Sequence, residues 1–206
     1  YPNMLKALAL HFPVVRRWFD FLDGLFYETR AIAPGEAIFP PPSGLSAEQQ
    51  AQVEERLAGM ELGSESVFVA GRALDALLRQ FGVRPDMLLG HSTGENGALM
   101  ASGLLQLDDA GLADLVRRMN RDYRKLAAAG ELPPGVLLSV GGVPLDRIRG
   151  LLDADPPLCV TMDNCDHQFI LFGPEASIAA AHETLRREGA LCVRLPMGHG
   201  YHTPLM

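Results

Sequence analysis

The sequence predicts an α/β protein, and three observations carry that prediction. The first is a G-x-S-x-G run, Gly90-His91-Ser92-Thr93-Gly94, set between an apolar strand-like stretch ending at Leu89 and a helical stretch from Asn96 to Ala101. A serine on such a strand-to-helix turn is the hallmark of a hydrolase-like α/β body. The second is a change of rhythm after Gly135, where the pattern becomes β-α-β-β-α-β, the order of a ferredoxin-like α+β unit. The third is a run of amphipathic helices before the elbow, at helical rather than alternating spacing. The expected organisation is therefore a large α/β subdomain at 1–135, an inserted ferredoxin-like subdomain at 136–195, and a return segment at 196–206.

The elements follow from local chemistry. Asn3 is placed to cap a short helix reaching about Leu10. Pro13 suits the first turn of a helix to about Phe26, with Val14, Val15, Trp18, Leu22 and Leu25 at helical spacing. The proline-rich stretch from Arg30 to Ser46 reads as a loop. Ser46 with Gln49 forms a capping box for an exposed helix, Ala47 to about Ala58. Ser64 or Ser66 opens the next helix, whose apolar face is Val67, Ala70, Leu74, Leu77, Leu78 and Phe81, and Gly82 ends it. A strand then leads to Gly90, and the elbow helix runs to about Ser102. Asp108 or Asp109 caps a long helix to about Ala128. Val136–Val140, Cys159–Met162, Phe169–Phe172 and Leu191–Leu195 read as strands, with helices at Pro144–Leu152 and from Pro174 to about Arg187.

Composition narrows the function classes. A chain of 206 residues can bury one good core. With 48% hydrophobic and 21% charged residues it matches ordinary globular proteins, and no apolar run approaches a membrane span. A net charge of −7 argues against general nucleic-acid binding. Cys159, Cys165 and Cys192 form no C-x-x-C pair, which suggests neither zinc nor a disulfide framework but reduced thiols in a cytoplasmic protein.

The candidate chemistry is nucleophilic. Ser92 lies at a helix N-terminus, where backbone N–H groups can hold an oxyanion, and the amide of Thr93 is the natural donor. A serine needs a base to take its proton. Glu95, in the first turn of the elbow helix, reads as a carboxylate that complements the helix dipole rather than as an acid or base. His11, His167 and His182 belong to no constellation.

Gly90-His91-Ser92-Thr93-Gly94-Glu95 resembles the nucleophile motif of the acyltransferase family that loads acyl carrier proteins, which includes malonyl-CoA:acyl carrier protein transacylases and the acyltransferase domains of polyketide and fatty acid synthases. The segment His199-Gly200-Tyr201-His202-Thr203-Pro204 looks like the family's second signature, with Tyr201 in place of the usual Phe and Thr203 in place of the usual Ser. The resemblance implies that His202 is the catalytic base, that His199, Tyr201 and His202 belong to a selectivity tetrad of the malonyl type, and that His91 shapes the pocket floor. It implies acyl-CoA as donor, an acyl carrier protein and neighbouring synthase domains as partners, and no metal or redox cofactor. The family's G-Q-G-S-Q-type motif, source of a second oxyanion donor, is absent, and Tyr1-Pro2-Asn3-Met4 looks like the text that follows it. The chain is thus expected to be the middle of a longer domain.

Acyl choice is left open by one helix. Extender-loading members carry an arginine that pairs bidentately with the malonyl carboxylate. Ungapped counting from Ser92 points to Arg117, whereas aligning the pair Leu115-Val116 points to Met119 or Asn120, with Arg118 and Arg121 nearby. One residue turns a helical side chain by about 100°. An asparagine there would favour an uncharged acyl group such as acetyl, and the tetrad favours malonyl. Two rival functions remain: a serine esterase or thioesterase, for which Asp163 or Asp166 could orient the histidine, and a non-catalytic module that docks a carrier protein.

Overall fold

The computed structural model describes residues 1–27 and 33–206, and the chain divides into two compact units, 1–121 and 122–206. The expected loop residues 30–32 lie outside the described residues.

The first unit is helical. It contains α1 (Lys6–His11), α2 (Pro13–Phe26), α3 (Pro34–Ile38), α4 (Ala47–Ala58), α5 (Met60–Gln80), α6 (Gly94–Ala101) and most of α7 (Asp109–Ala128). Pro13 opens α2 as its fixed φ favours. Its Val15, Phe19, Leu22, Leu25 and Phe26 bury against Val69, Ala70, Ala73 and Leu77 of α5, with Ile38 and Ala113 closing the cluster. Ser46 caps α4 with both bonds of a capping box, Gln49 N–H to the Ser46 hydroxyl at 3.2 Å and Ser46 N–H to the Gln49 side chain at 2.8 Å. Asp108 accepts from the Gly111 amide at 2.8 Å at the head of α7.

Several local features differ from expectation, among them the outer face of α5, where Val67, Leu74, Leu78 and Phe81 are exposed. Asn3 makes no side-chain cap on α1; its amide bonds the Ile38 carbonyl at 2.6 Å instead. Within the expected loop, Pro34–Ile38 is helical, because the Gly35 amide at its start finds the Asp23 carboxylate at 2.6 Å. The next helix begins at Met60 rather than at Ser64 or Ser66; both hydroxyls donate back to carbonyls, Ser64 to Glu61 and Ser66 to Leu62. The stretch before Gly90 forms no strand, and no residue described in 1–121 is in one. A strand needs a ladder partner. Without one, Met87 and Leu89 stand 90% and 98% exposed.

The second unit holds a four-stranded antiparallel sheet, β1 (Val136–Gly141), β2 (Cys159–Cys165), β3 (Gln168–Gly173) and β4 (Leu191–Leu195), in the order β2-β3-β1-β4. Helices α8 (Leu145–Ala154) and α9 (Glu175–Arg187) complete the observed order β-α-β-β-α-β. Register sets Leu138 against Leu171 and Val140 against Phe169, and these four pack with Ile148, Ile178 and Leu185 of the two helices. Because side chains alternate along a strand, Leu137, Ile170 and Phe172 face the other way. There Phe172 meets the backbone of Gly135 and Gly200 so closely that a Cβ on either would sit 2.4 or 2.7 Å from its ring. The three cysteines are free thiols.

Candidate functional site

The elbow is built within the first unit. Ser92 takes φ = 53°, a left-handed conformation that costs a residue with a side chain and is typical of functional turns. Three successive bonds close the turn: Gly94 N–H to His91 O at 3.0 Å, Glu95 N–H to Ser92 O at 2.9 Å, and Asn96 N–H to Thr93 O at 3.3 Å. The Thr93 amide precedes these in the same turn, and Thr93 itself is the N-cap of α6. Ser92 and Thr93 are half-buried, and His91 and Glu95 are exposed. Arg79 anchors the far end of α6 by donating to the Ala101 carbonyl at 2.9 Å while its Nε pairs with Asp75 at 2.8 Å.

Along α7 of the same unit each clamp candidate has a distinct setting. Arg117 donates from Nε and Nη2 to the Leu25 carbonyl at 3.4 and 3.3 Å, closing the C-terminus of α2. Arg118 pairs with Asp114 at 2.5 Å, and that hydrogen bond holds the Asp114 carboxyl below its ordinary range. Met119 and Arg121 are exposed. Asn120 is buried and donates to the buried Glu65 carboxylate of α5 at 2.5 Å.

The second constellation lies within 122–206. Gly200 N–H bonds Pro133 O at 2.9 Å, and Gly135 N–H bonds Gly198 O at 3.2 Å, so the 198–203 turn is laced to the segment that enters β1. Thr203 is buried; its hydroxyl donates to Gly200 O at 2.7 Å and accepts from Leu205 N–H at 3.3 Å. His202 is exposed with φ = 59°. The His199 ring is half-buried and stands edge-on to Tyr201 at 6.1 Å, with its Nδ1 buried and unbonded among the described residues. Tyr201 is buried, and its hydroxyl lies 3.0 Å from that of Tyr123 on α7. Burial first, and then the Tyr123 bond, push the Tyr201 phenol well above its ordinary 10.0.

His91, Ser92 and Thr93 thus share one turn, and His199, Tyr201 and His202 share another. Asp163 and Asp166, considered as orienting carboxylates, are both exposed, Asp163 within β2 and Asp166 at the β2–β3 turn. Tyr123 escaped sequence reasoning, since nothing in the α7 pattern distinguishes it from its neighbours. Among the described residues there is no group of three or more His, Cys, Asp or Glu placed to hold a metal ion, and no helix long and apolar enough to cross a membrane.

Comparison with known proteins agrees with the two motifs. A family model described as "Acyl transferase domain" matches residues 29–206. Mycoketide-CoA synthase of Mycobacterium tuberculosis is 31% identical over 153 residues, covering 74% of this chain and 3% of that synthase. The acyltransferase domain from the second module of the salinomycin polyketide synthase superposes over 100% of this chain and 44% of its own, at 27% identity and a TM-score of 0.70. A type II polyketide synthase malonyl-transacylase, solved in complex with its acyl-carrier protein, matches with a TM-score of 0.74 at 21% identity, over 100% of this chain and 62% of its own. The chain spans only a few per cent of the curated synthases it resembles and about half of the solved domains. With a family match over 178 of its 206 residues, the chain belongs to the acyl transferase domain family of polyketide synthases and malonyl-CoA:acyl carrier protein transacylases.

Proposed function

We propose that this acyltransferase domain moves an acyl group from coenzyme A, through an ester on Ser92, to the phosphopantetheine thiol of an acyl carrier protein. The observation that carries the reading is the Gly90–Glu95 elbow, with Ser92 held at φ = 53° at the head of α6. Ser92 Oγ attacks the thioester carbonyl while His202 takes its proton. The oxyanion is held by the Thr93 amide at the helix N-terminus. Collapse breaks the C–S bond, and the imidazolium returns the proton to the departing CoA sulfur. The incoming carrier thiol then repeats these steps in reverse: His202 accepts its proton, the thiolate attacks the ester carbonyl, and Ser92 leaves as the alcohol. No step needs an oxidant, a reductant or a metal.

Malonyl is the favoured acyl group, on the strength of the His199-Gly200-Tyr201-His202 run. One specific observation favours an uncharged acyl group instead: Arg117 is engaged with the Leu25 carbonyl, and Asn120 is buried on Glu65. The sheet order β2-β3-β1-β4 with α8 and α9 supports a ferredoxin-like assignment for the second unit. The hydrolase-like assignment of the first rests on the elbow alone.

A transfer assay tests the function. With malonyl-CoA or acetyl-CoA and a holo acyl carrier protein, the acyl group should accumulate on the carrier thiol, and Ser92→Ala should abolish it. Steady free-acid release at the same rate with and without the carrier would show a thioesterase instead. Carrier binding with no acyl chemistry in the native protein would show a docking module.

A further inference from the structure

We propose that Tyr123 is a positioning residue for acyl choice, acting through its hydroxyl contact with Tyr201. The inference rests on the reading above, in which the His199–His202 turn meets the acyl group. Backbone bonds from Gly200 to Pro133 and from Gly135 to Gly198 fix the path of that turn. They leave the direction of the Tyr201 side chain undetermined. Within its buried setting that side chain meets the edge of the His199 ring and the Tyr123 hydroxyl at 3.0 Å. Only the second is a hydrogen bond.

The two phenols are not equivalent. Tyr201 is only 9% exposed, so its hydroxyl has little access to bulk water if Tyr123 is lost. Tyr123 is half-buried, so its own hydroxyl can turn to water if Tyr201 is lost. Removing the Tyr123 hydroxyl therefore strands a buried polar atom and drives the Tyr201 ring to a new position. Removing the Tyr201 hydroxyl strands nothing. Tyr123 thus sets where a bulky ring stands beside the acyl group without touching that group itself.

The test is a cycle of Tyr123→Phe, Tyr201→Phe and the double variant in the native protein. Acylation rates with malonyl-CoA and acetyl-CoA are measured by intact mass. Tyr123→Phe should change the malonyl-to-acetyl ratio by about tenfold, the scale of one stranded polar group. Tyr201→Phe should change it less, and the double variant should follow Tyr201→Phe rather than Tyr123→Phe. A loss of general stability would lower both rates and leave the ratio alone. Spectrophotometric titration supplies a readout independent of activity: one phenol should ionise late in the native protein and earlier in Tyr123→Phe. An unchanged ratio in an active Tyr123→Phe protein, or a double variant as altered as Tyr123→Phe, overturns the proposal while the acyltransferase reading stands. A native protein acylated by neither thioester overturns both.

Discussion

The amide nitrogen of Glu95 lies 2.3 Å from where a Cβ on Gly90 would sit. That single approach explains why the elbow can close. Backbone from the first turn of α6 occupies the space that any larger residue at 90 would need, and this lets Ser92 turn into its left-handed conformation at the head of the helix.

Gly90→Ala should therefore cost stability by about 1–3 kcal/mol, as overpacking against backbone does, and should abolish acylation of Ser92. Gly97→Ala is the contrasting case. Its Cβ would meet nothing within 4 Å, and the residue sits inside α6. That substitution should raise stability by about 0.5–1 kcal/mol. Urea melts of both variants check the pair.

The buried Asn120–Glu65 contact ties α7 to α5. Asn120→Ala should cost about 1–3 kcal/mol, because a buried carboxylate loses a donor. Asn120→Asp should behave differently with pH. Two buried carboxylates side by side cannot both ionise freely, so one is pushed above its ordinary value. A carboxyl raised on folding destabilises as pH rises through its unfolded value and recovers as pH falls. The Asn120→Asp deficit should be largest near pH 7.5 and shrink towards pH 5, as read from urea midpoints.

Arg147 binds Glu188 through two bonds, at 2.7 and 2.6 Å, joining α8 to the C-cap of α9. The guanidinium holds the Glu188 carboxyl below its ordinary 4.5. A depressed carboxyl contributes stability that is present above its unfolded value and lost as pH falls through the folded one. Glu188→Gln should lower Tm slightly near neutral pH, and the gap should close below about pH 4 and at high salt. Thermal melts across pH and ionic strength measure it.

Gly200 and Phe172 form a similar close pair in the second unit, with a Cβ at 200 only 2.7 Å from the ring. Gly200→Ala should cost about 1–3 kcal/mol by overpacking. Phe172→Leu in the same chain should recover part of that loss by freeing the space. A double-mutant cycle in urea gives the coupling.

Features that local chemistry decides were legible in the sequence. The Ser46–Gln49 capping box, the Pro13 start of α2 and the span of β4 each depend on residues a few positions apart. The elbow motif gave the head of α6 for the same reason. What distant residues decide was not legible. Helix α3 starts where it does because Asp23, twelve positions earlier, accepts from Gly35. The apolar run Met87-Leu88-Leu89 has strand composition, yet pairing, not composition, makes a strand. On α5 the pattern predicted Val67, Leu74, Leu78 and Phe81 as core, yet these four are exposed, and Val69 and Ala73 are buried beside Ala70 and Leu77 in the cluster shared with α2. The same holds at the site. The residue types of both motifs were readable, but Tyr123 joins Tyr201 across 78 positions and left no local mark.

Whether Ser92 carries the acyl group is read by intact-mass spectrometry of the native protein after exposure to malonyl-CoA and, separately, to acetyl-CoA, with Ser92→Ala in parallel. One acyl adduct is expected on the native protein and none on Ser92→Ala. An adduct that persists in Ser92→Ala would show that Ser92 is not the nucleophile.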